Sequence, residues 1–171
     1  MRRTLVALSA AILPLLAPAG QASAAATPAG GWEPAPSTPW DVPAGARCDF
    51  PVHGEPVVDE VERRVLETYA DGTVRRAAYA GDLVVRVTNT DTGKSYDADA
   101  SGSAVVEYRP DRSQYWAVLG PVLVGVAENG GTLQRGLYIV DGVYTLDIAP
   151  TGYKTVSLAH GSTDDLCARI D

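Results

Sequence analysis

The chain has 171 residues, with 14 Lys+Arg, 21 Asp+Glu and a formal net charge of −7. An acidic protein of this composition repels nucleic acid and anionic membrane surfaces, which removes two large classes of partner. Two cysteines and two histidines leave little material for a metal or redox centre.

The N-terminus reads as an export signal. Arg2 and Arg3 form a positive start, Leu5 to Leu16 is apolar except at Ser9 and Pro14, and Ala22-Ser23-Ala24 has the small-x-small form of a cleavage site. The apolar run falls short of the roughly 20 residues that span a bilayer. Residues 1–24 are therefore assigned as signal peptide, with cleavage after Ala24, Ala25 or Ala26, and no membrane association is expected afterwards. Removal takes Arg2 and Arg3, leaving 12 − 21 = −9. Roughly 145 residues remain, enough for one domain with its own core.

Residues 25–46 read as a flexible, proline-rich linker. Pro28, Pro34, Pro36, Pro39 and Pro43 exclude helix and central strand. Trp32 and Trp40 are unusual in such a tail, and docking onto the domain is the simpler account of them. A single domain is assigned to residues 47–171.

From Cys48 onward, turn signals alternate with segments rich in Val, Tyr, Thr and Leu. The signals include Asp71-Gly72, Ala80-Gly81-Asp82, Asp91-Thr92-Gly93, Ser101-Gly102, Pro110-Asp111, Asn129-Gly130-Gly131 and Thr151-Gly152. This pattern predicts an all-β fold, an antiparallel β-sandwich or partly open barrel of about 7–9 short strands. In Pro56 to Tyr69 the apolar residues fall at helical spacing, but the valine content and the Asp71-Gly72 turn favour strand. Period-two alternation marks Leu83/Val85/Val87, Ala104/Val106/Tyr108 and Tyr144/Leu146/Ile148. Tyr115 to Val126 reads as a central strand buried on both faces and kinked at Gly120-Pro121. Asp141-Gly142 is read as a two-residue hairpin turn. Ser162 to Asp165 precede a short C-terminal helical turn carrying Cys167.

Two cysteines in an exported chain usually pair, so Cys48 and Cys167 are assigned to one disulfide. Neither belongs to a CxxC motif.

No catalytic residue, cofactor-binding residue or metal ligand is assigned. Asp91-Thr92-Gly93 matches the aspartic-protease triplet, but it occurs once and has polar neighbours; a turn explains it fully. Gly93-Lys94-Ser95 lacks the upstream glycine of a phosphate loop, where Thr88 stands. His53 and His160 have no GxSxG, HxH or HExxH context. Asp97 and Asp99 share a strand face, as a glycosidase pair or a calcium site would, but no DxDxDG loop is present and an exposed polar face is the better account of them.

Cys48-Asp49-Phe50-Pro51-Val52, the stretch Val87-Thr88-Asn89-Thr90-Asp91-Thr92-Gly93-Lys94-Ser95, the Ser101-Gly102 break and Asp164-Asp165-Leu166-Cys167 together resemble a group of small secreted actinobacterial proteins. The resemblance covers most of Cys48 to Cys167. It implies a β-sandwich with the two cysteines paired, and it transfers no functional residue or activity.

The expectation is a secreted, non-enzymatic module that binds an extracellular protein or glycan through loops or a sheet face. Two other readings stand beside it: a hydrolase using dispersed carboxylates, which needs two acids within about 5–10 Å in a cleft, and a protease-inhibitor-like module with a protruding loop around Gly125–Gln134. Adjacent exposed Tyr115 and Trp116 would point to a sugar platform.

Overall fold

The computed structural model describes residues 30–171. The assigned signal, residues 1–24, lies outside the described residues. The strands are β1 (Glu33–Pro34), β2 (Trp40–Val42), β3 (Val52–Asp59), β4 (Glu62–Thr68), β5 (Val74–Ala80), β6 (Leu83–Asn89), β7 (Ser95–Asp99), β8 (Ser103–Tyr108), β9 (Gln114–Leu119), β10 (Val122–Val126), β11 (Gly136–Ile148) and β12 (Lys154–Asp165). One helix, α1 (Leu166–Ile170), follows. The larger sheet runs β1-β4-β5-β8-β9-β11, with β9 and β10 end to end along one edge of β11 and β12 along the other. The smaller sheet runs β2-β3-β6-β7. Every strand pairing is antiparallel and neither sheet closes into a barrel, so the all-β expectation holds. The strands outnumber the expected ones because the tail supplies β1 and β2 and a kink divides one run into β9 and β10.

The tail is a correction to the sequence reading. Within the described residues it is not a free linker: Glu33 and Pro34 pair with Arg63 and Glu62, and Trp40 to Val42 pair with Gly54 to Val52. It therefore crosses from the edge of one sheet to the edge of the other. Proline is tolerated because both strands lie at edges. Trp40 docks as expected, across from Gly54 and against the first core cluster.

Pro56 to Tyr69 is not helix: it holds the end of β3 and the whole of β4, strands of different sheets parted at Glu60 and Val61. Register shifts fall between Pro56 and Val58 and between Val65 and Glu67. Each extra residue displaces the period-two alternation, and the displaced valines mimic helical spacing.

The largest departure concerns Asp141-Gly142, which forms no hairpin. Both residues lie inside β11, opposite Ser162 and Gly161. The amide of Gly120 donates to the carbonyl of Gly142 at 2.8 Å, and that of Gly102 to the carbonyl of Pro121 at 2.7 Å. Glycines from four adjacent chain segments thus stand in one line across the larger sheet. Gly120, Gly142 and Gly161 have φ of 90°, 132° and 144°, a region open to glycine and strained for any other residue. A Cβ on Gly142 would overlap the carbonyl oxygen of His160, and one on Gly161 that of Asp141.

The glycine line divides the sheet. On one face, Ala104, Val106, Val118, Tyr144 and Leu146 from one side of the line gather with Val124, Val126 and Val140 from the other. The sheet is therefore folded towards that face and packs against itself. On the opposite face, Leu137, Leu123 and Ile139 pack with Val52, Val85, Val87, Ala98, Leu166 and Ile170, closing the smaller sheet and α1 over one half only. The same face beyond the line has no sheet above it. Tyr115 to Val126 is accordingly not buried on both faces throughout: Leu119 is 64 % exposed.

Cys48 and Cys167 are bonded, with Cα atoms 5.4 Å apart and a sequence separation of 119. Asp165, the last residue of β12, caps α1 by accepting from the Cys167 amide at 2.9 Å.

Three hairpins of the larger sheet close with one loop design. Tyr69, Arg109 and Ala149 donate to the carbonyls of Thr73, Ser113 and Tyr153 at 2.8, 3.0 and 2.8 Å. The third and last residue of each loop, Gly72, Arg112 or Gly152, has φ of 85°, 72° or 85°. These are three-residue hairpin loops ending in a left-handed residue. Arg112 alone carries a side chain there. Arg112→Gly is expected to stabilise the fold by about 1 kcal/mol, because relieved strain of ~1–3 kcal/mol exceeds the added unfolded-state entropy of ~0.4–1 kcal/mol. A urea midpoint that rises without a change in slope would show it; an unchanged or lower midpoint would contradict it.

Candidate functional site: the open face of the larger sheet

The face left open beyond the glycine line is built from β4, β5, β8, β9 and β11. Register places its side chains in three rows. Arg64, Ala78, Val105, Ala117 and Thr145 form the middle row. Ser103, Leu119 and Val143 follow one another in the next row, with Glu62 opposite Ala80 beyond them. The third row carries Arg76, Glu107, Tyr115 and Asp147. Small residues in the middle leave a shallow groove of about 360 Å³, floored by Ala78, Val105 and Ala117 and lined by Trp32 and Leu119. Leu119, Val143 and Trp32 are 64, 49 and 45 % exposed. Leu119 and Val143 are directly paired across β9 and β11, and Trp32 shares the groove with Leu119.

The third row closes that face with charge. Arg109 reaches Glu107 and Asp147, each at 3.4 Å, and its guanidinium lies over the Tyr115 ring at 5.8 Å. Tyr115 and Trp116 point to opposite faces: Tyr115 stands in this row, while Trp116 packs into the second cluster and donates to Gln114 at 2.9 Å. They do not form a shared platform.

The residues weighed for chemistry lie elsewhere. Asp91, Thr92 and Gly93 form the β6–β7 turn, where Gly93 has φ of 76° and donates to the Asn89 carbonyl at 2.7 Å. Asn89 is buried; its side chain donates to the Ile170 carbonyl at 3.1 Å and accepts from the Asp91 amide at 3.0 Å. Lys94 donates to the Asp171 carbonyl at 2.7 Å. The most distinctive stretch of the sequence thus anchors the C-terminus.

His53 sits in the smaller sheet, 2.8 Å from Asp41, and His160 in the larger. Among the described residues no three His, Cys, Asp or Glu side chains come together as a metal-holding group. Asp97 is clamped by Arg86 through two hydrogen bonds of 2.7 and 2.8 Å, and Asp99 accepts from the Ser101 amide at 2.9 Å. Asp59 accepts from the Ser37 amide at 2.6 Å, and Asp164 pairs with Arg169 at 3.1 Å. The loop after β10 lies against the domain. Gly131 bridges to Lys154, the Val156 amide donates to the Thr132 hydroxyl at 3.0 Å, and Arg135 pairs with Glu128 and Asp49. A larger cleft of about 610 Å³ between the first two hairpin loops, lined by Tyr69, Asp71, Tyr108 and Arg109, holds one carboxylate, Asp71, already bonded to Thr73.

Four carboxylates are held below their ordinary range: Asp97 by its hydrogen bonds to Arg86, and Asp71, Asp99 and Asp111 by those to Thr73, Ser101 and Ser113. A carboxylate whose pKa is lowered by folding contributes stability above its unfolded value, about 3.9, and loses it as pH falls through the lower folded value. The denaturation midpoint is therefore expected to stay level down to about pH 5 and to fall below about pH 4. It falls less steeply in Asp97→Asn; identical profiles for the two proteins would contradict the assignment.

The open face escaped the sequence reading because Tyr115 to Val126 is apolar along its whole length. Nothing in that run separates Val118, which is buried, from its exposed neighbour Leu119. Compared with protein-family models, curated proteins and solved structures, the chain shows no significant match to any of them.

Proposed function

We propose that the protein is a secreted, non-enzymatic binding module that presents the open face of its larger sheet to an extracellular protein. The observation that carries this reading is the contiguous exposure of Trp32, Leu119 and Val143 beside the apolar groove. Strand pairing holds this surface in shape, so binding costs little ordering of the protein. Sugar recognition sets hydrogen-bonding groups around an aromatic ring; this groove is lined mainly by alanine, valine, leucine and one indole, which suits an apolar protein segment better.

Three further features support export: the signal-like N-terminus, the disulfide, and the resemblance to small secreted actinobacterial proteins. No helix among the described residues is long and apolar enough to cross a membrane. The test is recovery of partners from the culture medium and cell wall with wild-type protein and with Leu119→Asp and Val143→Asp. Both side chains are substantially exposed, so the variants keep the fold. Specific recovery is expected to be lost in both; retention by both would sink the reading.

A further inference from the structure

The arginines of β4 and β5 are paired with carboxylates, except Arg64 beside the groove. Arg63 pairs with Glu33, Arg75 and Arg76 with Glu67, and Arg109 with Glu107 and Asp147. Arg64 makes no ion pair and no side-chain hydrogen bond among the described residues, and its Nε is buried without an acceptor. Glu62, two residues along the same strand, does not pair with it. Arg64 stands directly across from Ala78, which in turn stands across from Val105, and both of those floor the groove. An unneutralised guanidinium therefore borders the apolar surface of an otherwise acidic protein. The two terminal nitrogens of the guanidinium are not sealed in this way and make no side-chain hydrogen bond, so they are free to meet an anionic partner.

Size narrows the occupant. The apolar part of the face crosses about four strands and two rows, so roughly 14 by 7 Å at ordinary sheet spacing. A stable complex of two globular surfaces needs about 800 Å² per partner, far more than this strip. An extended segment of a few residues fits it.

We infer that the groove takes an extended peptide segment in which an acidic side chain lies beside apolar ones, with Arg64 reading the acid. This rests on the docking-face reading above and adds the chemistry of the partner. Apolar side chains fill the space between Trp32 and Leu119, and the carboxylate meets the Arg64 guanidinium as a charge-assisted pair.

The test is selection of random linear dodecapeptides displayed on phage, panned against the disulfide-bonded exported chain, Arg64→Gln and Leu119→Asp. Wild type is expected to enrich peptides pairing Asp or Glu with Leu, Val or aromatic residues. Arg64→Gln is expected to keep the apolar preference and lose the acidic one. A synthetic peptide of the selected sequence is expected to bind about tenfold more weakly to Arg64→Gln, and its Asp→Asn or Glu→Gln counterpart to lose the same factor on wild type. The second measurement leaves the protein unaltered, so a folding defect in Arg64→Gln does not obscure the outcome. Apolar enrichment without acidic preference would overturn the inference and leave the docking face standing. No enrichment, or equal enrichment on wild type and Leu119→Asp, would overturn both. A concentration-dependent doubling of mass abolished by Leu119→Asp would assign the face to a second copy and overturn the peptide inference.

Discussion

Gly142→Ala is expected to destabilise the protein by about 3 kcal/mol or more, a large share of the 5–15 kcal/mol that holds a domain of this size. Two effects combine. The backbone at φ of 132° strains any residue with a Cβ, and that Cβ would overlap the His160 carbonyl across the β11–β12 ladder. Relief requires the two long strands to separate where the sheet folds, and Val140 and Tyr144 on either side are both in the second cluster. Gly161→Ala is expected to behave alike, because its Cβ would meet the Asp141 carbonyl. Gly31→Ala serves as the control: nothing lies within 4 Å of a Cβ there. Its effect is expected to stay within about 0.5 kcal/mol. Urea midpoints measure all three, and an unchanged midpoint in Gly142→Ala would show that the glycine line is not what folds the sheet.

Loss of the disulfide is the second large effect expected. Cys48 and Cys167 close a loop with a sequence separation of 119. The chain-entropy account predicts about 4–5 kcal/mol for a loop of this length, with measured losses of native bridges at about 2–5 kcal/mol. The bridge also holds α1, whose Leu166 and Ile170 are fully buried against Val52 and Val87. Paired Cys48→Ser and Cys167→Ser is therefore expected to lower the midpoint strongly. Hydrogen exchange is expected to quicken first in α1 and around Asn89, which grips the Ile170 carbonyl. Uniform exchange with an unmoved midpoint would contradict the account.

The fold class was legible because turn chemistry and period-two alternation are local properties. The loops at Asp71-Gly72 and Thr151-Gly152 close hairpins, and Cys48 and Cys167 meet. Position along a long strand is not local. Asp141-Gly142 carries the chemistry of a two-residue turn, yet its role is set by Gly120 and Gly161 on neighbouring segments, each about 20 residues away in sequence and visible only through pairing. Pro34 and Pro36 signal extended chain, and sequence does not say that Glu33 and Trp40 each find a sheet edge. The open face was hidden for a related reason. Alternation marks which side chains share a face; whether a second layer covers that face depends on where the sheet folds. Nothing in the sequence separates Arg64 from Arg63; that Arg63 reaches Glu33 while Arg64 reaches no carboxylate emerges only from the folded geometry.

Site-specific photo-cross-linking tests the docking face most directly. A photoreactive phenylalanine analogue placed at Leu119, in protein exposed to its own culture medium, is expected to give a discrete adduct, and the same group at Asp91, in the exposed β6–β7 turn, to give none. Adducts at position 91 with none at position 119, or equal labelling at both, would contradict the account.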